Sequence, residues 1–87
     1  MPTTPDWLDT GDALHRTFDC GDFPTALAFI VRIGLEAERI GHHPDLRNVY
    51  KTVEIRLTTH DDGDVVTGKD RALAAAIDAV ADALHLS

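Results

Sequence analysis

The sequence predicts an α+β domain: a mostly antiparallel sheet of about four strands with two main helices packed on one face. Two observations carry that reading. Apolar and polar residues alternate over residues 13–20 and 48–59, which is the period of a half-buried strand. Over 23–41 and 70–84 the apolar residues recur at helical spacing instead. The order is strand, helix, strand or hairpin, helix, which suits helices gathered on one side of a sheet. The whole chain, 1–87, is expected to be a single domain, because so short a chain buries only roughly 60 to 65% of its unfolded surface and cannot support two cores.

Residues 1–12 carry Pro2, Pro5 and Gly11 and show no period, but Trp7 has too much apolar surface for a loose tail and is expected to pack. In the first strand Leu14, Arg16, Phe18 and Cys20 alternate with Ala13, His15, Thr17 and Asp19, which puts His15 on the wetter face. Gly21-Asp22-Phe23-Pro24 starts a helix: Asp22 can accept hydrogen bonds from free amides, and proline is tolerated in a first turn. That helix is expected to end at Gly41, the favoured residue just past a helix C-terminus. One apolar stripe on it is Phe23, Leu27, Ile30, Val31, Gly34 and Ala37; a second is Ala26, Phe29, Ile33 and Ile40. A helix apolar over more than half its circumference has surplus surface for another subunit, and the second stripe is available for such a partner.

From Asn48 to Thr59, Val49, Val53, Ile55 and Leu57 alternate with Tyr50, Thr52, Glu54, Arg56 and Thr58, giving the clearest strand in the chain. Asp61-Asp62-Gly63-Asp64 is a turn cluster, and Val65-Val66 is too short to classify. Thr67 to Asp70 reads as a variant capping box ahead of a helix whose Leu73, Ala76, Ile77, Val80 and Leu84 share one face.

Fifteen acidic against eight basic residues leave a formal charge of −7, which argues against gripping a phosphate backbone or an anionic membrane, since either needs clustered Lys and Arg. No basic leader precedes an apolar run and no apolar run is long enough to span a bilayer, so the expected location is cytoplasmic. The single cysteine, Cys20, has no second thiol for a disulfide and reads as a small buried or half-buried apolar residue.

Chemistry concentrates in Glu38-Arg39-Ile40-Gly41-His42-His43-Pro44, followed by Tyr50 and His60. Imidazole gives and takes protons near neutrality, so three histidines near a carboxylate point to proton transfer. With a helix ending at Gly41, His42 and His43 stand in the exit turn and Glu38 on the last helical turn. His60 closes the long strand, so the three histidines can surround one ligand. The bland reading is a solvated His-His pair, with Pro44 stopping the helix, Glu38 a surface charge and Asp70 a cap. Zinc or nickel would suit three histidines with carboxylates, but adjacent histidines seldom bind one ion together and no His-x-His or His-x3-His pair is present, so no metal is expected.

Taken together, Glu38-x3-His42-His43-Pro44-x5-Tyr50-x9-His60-x9-Asp70 resembles the signature of the pterin-4a-carbinolamine dehydratases. The likeness extends upstream through Trp7, Leu14-His15-Arg16-Thr17-Phe18 and Asp22-Phe23, and downstream through Val53 to Asp61, so it covers nearly the whole chain. It implies dehydration of a 4a-hydroxytetrahydropterin to quinonoid dihydropterin and water, in tetrahydrobiopterin recycling beside an aromatic amino acid hydroxylase, without a metal or organic cofactor. By the same resemblance His42 and His60 are the acid/base pair, and His43 binds the pterin and assists. Glu38 orients a histidine or holds the ring's polar edge, Asp70 supports the set, and Trp7 and Pro44 help to wall the site. It further implies a homodimer or homotetramer in which the sheet continues across subunits, hiding an edge strand.

Three departures from the family pattern stand out. Only six residues precede Trp7, so the family's N-terminal helix is expected to be missing or reduced; Leu46 stands where many relatives have tryptophan; and the loop from Asp61 to Lys69 is one residue longer, with Asp64 in place of a glycine. The family also contains non-catalytic members, a dimerisation cofactor of a transcription factor and assembly factors for ribulose bisphosphate carboxylase. The alternative function is therefore a protein-interaction or assembly role, which would need no histidine cluster.

Overall fold

The computed structural model describes residues 6–86. The expectation about the N-terminal helix concerns the residues before Trp7, and 1–5 lie outside the described residues. Strands β1 (Leu8–Asp9), β2 (Leu14–Asp19), β3 (Asp45–Val49) and β4 (Thr52–Leu57) form one antiparallel sheet in the order β1-β2-β4-β3. Helix α1 (Phe23–Ile40) joins β2 to β3, and α2 (Gly68–Ala83) follows β4 after a short 3-10 turn, His60–Asp62. The α+β architecture is the expected one.

The ends of α1 lie where the sequence puts them. Asp22 is extended, at φ −152°, and its carboxylate accepts the Thr25 amide at 2.8 Å. Gly41, at φ 76°, takes the left-handed conformation that costs glycine nothing, and its amide donates to the carbonyls of Ala37 and Glu38.

The pairing Leu14↔Leu57 and Phe18↔Val53, with Ile55 between them opposite Arg16, lines up one apolar face of the central strands under the helices. Phe18 meets Phe29 of α1 edge-on, with ring centroids 4.9 Å apart, and Trp7 meets Phe18 at 6.5 Å. Leu73, Ala74, Ile77 and Ala81 of α2 complete the core.

Three details depart from the sequence reading. First, residues 48–59 are not one strand: the alternation belongs to a β3–β4 hairpin turning at Tyr50 and Lys51, with Val49 opposite Thr52. Tyr50 carries the turn at φ 53° without the Asn-Gly or Asp-Gly signal that usually marks it, and Asn48 Nδ2 braces it by donating to the Tyr50 and Thr52 carbonyls. Second, Leu8–Asp9 pairs with β2, a strand too short to show a period.

Third, the roles of the two stripes on α1 are reversed. Ala26, Phe29 and Ile33 are fully buried with Ala37, whereas Phe23, Leu27, Val31 and Leu35 are 43, 45, 61 and 66% exposed. The surplus stripe is therefore Phe23-Leu27-Val31-Leu35. Both stripes are apolar, and only the position of the sheet and α2 selects between them.

Candidate active site

His42 leaves α1 directly after the Gly41 cap, and its amide still donates to Ala37 O at 3.1 Å, so the helix end fixes where its imidazole starts. The ring is mostly covered, and Nε2 lies 2.6 Å from Asp70 Oδ1. Asp70 is completely buried. Its other oxygen, Oδ2, accepts the Thr67 amide at 2.9 Å, closing the capping box of α2, and the Thr59 hydroxyl at 2.7 Å. The cap is thus half of Asp70's work: one oxygen starts the helix and the other holds the histidine. Burial pushes the Asp70 carboxyl up, but hydrogen bonds from His42, the Thr67 amide and the Thr59 hydroxyl outweigh it and hold the group below its ordinary value.

His43 turns the other way, with Nε2 3.0 Å from Glu38 Oε1, both side chains largely exposed. His60 opens the 3-10 turn, and its Nδ1 is hydrogen-bonded to Asp64 Oδ1. Asp64, in the lengthened loop, adopts φ 58°, a conformation that aspartate tolerates better than most residues. Each of the three histidines therefore has its own carboxylate, and such a partner selects the tautomer and aims the ring.

A cleft of about 220 Å³ is lined by Gly41, His42, His43, Thr59, His60, Asp61 and Lys69. The exit of α1 and the end of β4 thus bring all three histidines to one opening, while Glu38 and Asp70 stand behind His43 and His42. Pro44 is half-buried and outside that lining. Trp7 is elsewhere: its indole Nε1 donates to Asp78 Oδ1 at 2.9 Å, on α2, where Arg16 Nη1 also reaches the same oxygen at 2.8 Å. Burial pushes the Asp78 carboxyl up despite those two donors. Among the described residues no group of three or more His, Cys, Asp or Glu side chains converges as metal ligands would.

Thr59, Thr67, Asp61, Asp64 and Lys69 join the site beyond the site residues that the sequence singles out. A capping box marks Thr67, and the extra loop residue draws the eye to Asp64, but nothing in the order of residues shows the Thr59 hydroxyl reaching a carboxylate on another element. A wider depression of about 440 Å³ lies on the open face of the sheet, among His15, Arg47, Glu54 and Arg56. Its Arg47 is neutralised by Glu54 at 2.7 Å, and it contains no histidine pair.

The family model described as pterin 4 alpha carbinolamine dehydratase matches residues 1–80. A protein of Bradyrhizobium diazoefficiens named provisionally as pterin-4-alpha-carbinolamine dehydratase is 49% identical over 79 residues, 88% of this chain and 78% of the relative. One of the same name from Chloroflexus aggregans is 49% identical over 77 residues, 87% of this chain and 81% of the relative. Among solved structures, a transcriptional coactivator/pterin dehydratase from Brucella melitensis superposes with TM-score 0.80 at 36% identity, covering 87% of this chain and 82% of that one. A pterin dehydratase-like protein identified as a RuBisCO assembly factor in the alpha-carboxysome superposes with TM-score 0.72 at 28% identity, covering 87% and 89%. Among the described residues no helix is long and apolar enough to cross a membrane.

Proposed function

Because the chain belongs to the pterin 4 alpha carbinolamine dehydratase family, we propose that it dehydrates a 4a-hydroxytetrahydropterin to quinonoid dihydropterin and water, as a step of pterin recycling. The observation that carries this reading is the single cleft lined by three histidines, each hydrogen-bonded to its own carboxylate. The reaction breaks the C4a–O bond as the N5–H electron pair forms the C4a=N5 double bond. One group must deliver a proton to the departing oxygen and another must remove the N5 proton, so two imidazoles of opposite protonation suffice.

His42 and His60 are assigned to that pair and His43 to holding the pterin. Asp70 orients His42 and Glu38 orients His43. Asp64 takes the corresponding place beside His60. All reacting groups belong to the protein and the substrate. The test is the dehydration of freshly generated 4a-hydroxytetrahydropterin, followed by absorbance. The folded protein is expected to outpace the spontaneous reaction, and equality of the two rates would overturn the reading.

A homodimer or homotetramer belongs to the same proposal, with the exposed stripe Phe23-Leu27-Val31-Leu35 covered by a second copy. Replacing Leu27 and Leu35 together by Glu is expected to reduce the molar mass measured by light scattering after gel filtration. An unchanged mass would place the contact elsewhere.

The assembly-factor reading is the alternative, favoured by the same exposed stripe and by the likeness to the carboxysomal protein. It predicts that substitutions in the stripe, and not in the histidines, abolish the biological role.

A further inference from the structure

We propose that Thr59, backed by Thr67, is a positioning residue that aims the Asp70 carboxylate so that His42 keeps its Nε2 proton and works through Nδ1. Hydrogen-bond accounting leaves one arrangement. An ionised carboxylate only accepts, so the Thr59 hydroxyl spends its single proton on Asp70 Oδ2, at 2.7 Å. The contact between Thr59 Oγ1 and Thr67 Oγ1, also 2.7 Å, must then be donated by Thr67, whose own oxygen accepts the Lys69 amide at 3.3 Å. The chain of donors thus runs from Lys69 N to Thr67, to Thr59, to Asp70.

With Oδ2 occupied by Thr59 and by the Thr67 amide, Oδ1 is left to face His42 Nε2 at 2.6 Å, and that nitrogen must be the donor. Whether the ring carries one proton or two, the one on Nε2 stays with Asp70, and the exchangeable site is Nδ1. Nδ1 has no hydrogen-bond partner among the described residues, and the only buried side-chain nitrogen or oxygen without one is on Arg71, so Nδ1 is not sealed off from solvent. Besides His42, the charged and titratable groups lining the cleft are His43, His60, Asp61 and Lys69.

Thr59 is 2% exposed and also ties down the other side of the cleft. Its carbonyl accepts the amides of Asp62 and Asp64, and its amide donates to Val65 O, so the loop carrying His60 and Asp64 closes on the same residue. One residue at the end of β4 therefore sets His42 through its hydroxyl and the His60 loop through its backbone.

The inference rests on the dehydratase reading for its effect on rate but not for the tautomer, and the experiment separates the two. Histidine ring nitrogens of the 15N-labelled full chain are observed by NMR, with His42→Gln identifying the His42 signals. The wild type is expected to show His42 protonated at Nε2. Thr59→Val, which keeps the shape and removes the hydroxyl, frees Asp70 to turn away from His42, so it is expected to mix the two tautomers and to lower kcat about tenfold at unchanged KM, the low end of the loss known for partners that orient metal-bound histidines. Thr59→Ser is expected to restore most of both. A wild-type His42 protonated at Nδ1 alone, or a folded Thr59→Val with unchanged tautomer and rate, overturns the proposal. If the wild type has no dehydratase activity, the spectra of wild type and Thr59→Val still decide the proposal, and if Thr59→Val fails to fold, Thr59→Ala read by the same spectra takes its place, with an unchanged tautomer again overturning the proposal.

Discussion

His42→Ala is expected to dehydrate 4a-hydroxytetrahydropterin about 10²- to 10⁴-fold more slowly than the wild type while remaining folded, the loss that accompanies removal of a positioned acid or base. His42 is singled out because its partner is sealed from water: Asp70 is completely buried, whereas Glu38 beside His43 and Asp64 beside His60 are largely exposed. A hydrogen bond to a carboxylate out of water's reach holds one geometry, while at an exposed pair solvent competes for both partners. His60→Ala should lose rate on the same scale as the second member of the pair. His43→Ala should mainly raise KM, as a group that holds the ring. Asp70→Asn makes the sharpest companion. Its carbonyl oxygen can keep the Thr67 amide and the Thr59 hydroxyl, which presents NH2 to His42 and forces Nε2 to accept, so Nδ1 is left carrying the proton. An orienting carboxylate converted to its amide in this way costs up to about 10⁴-fold in the serine proteases, and a loss of at least about 10²-fold is expected here. Steady-state rates together with circular dichroism of each variant check these outcomes. A folded His42→Ala at the wild-type rate would remove His42 from the chemistry.

The second large effect concerns stability. Phe29→Ala should destabilise the fold by about 3 to 5 kcal/mol, because Phe29 has no exposed surface and fills the space between α1 and the Phe18 ring, 4.9 Å away. Native domains are stable by roughly 0.05 to 0.15 kcal/mol per residue, so this loss is a large part of the total for a chain this short. Urea unfolding at fixed protomer concentration measures it, since subunit association adds to apparent stability by mass action. A shift of less than about 1 kcal/mol would show that the core closes over the gap, which a packed aromatic pair makes difficult. Phe29 belongs to the stripe first offered to a partner, so this variant also tests which face of α1 is the core.

That reversal shows how far the sequence reaches. The ends of helix α1 are legible because their signals are local: Asp22 caps an amide three residues on, and Gly41 takes a conformation costly to other residues. The period of a helix says that apolar residues share a face, but with two apolar faces it cannot say which one meets a sheet contributed by distant segments. The hairpin was missed for a related reason. Alternation persists through both arms, and Tyr50 turns the chain with a side chain that normally marks a strand. Trp7 packs as its apolar surface requires, but its partners, Phe18 and Asp78, lie on β2 and α2, which residue order alone does not bring to it.

Local signals in the sequence are enough for the fold class, the ends of α1, the capping box and, through resemblance to a family, the histidines and carboxylates of the candidate site. These depend on interactions within a few residues or on a spaced pattern of residue types. Which carboxylate meets His42 depends on how distant segments close in space. Asp70 lies 28 positions from His42 and 11 from Thr59, and the three converge because α2 starts where β4 ends, beside the exit of α1. A buried carboxylate accepts from whatever donors packing places within about 3 Å, and that choice is made by three-dimensional closure rather than by separation along the chain.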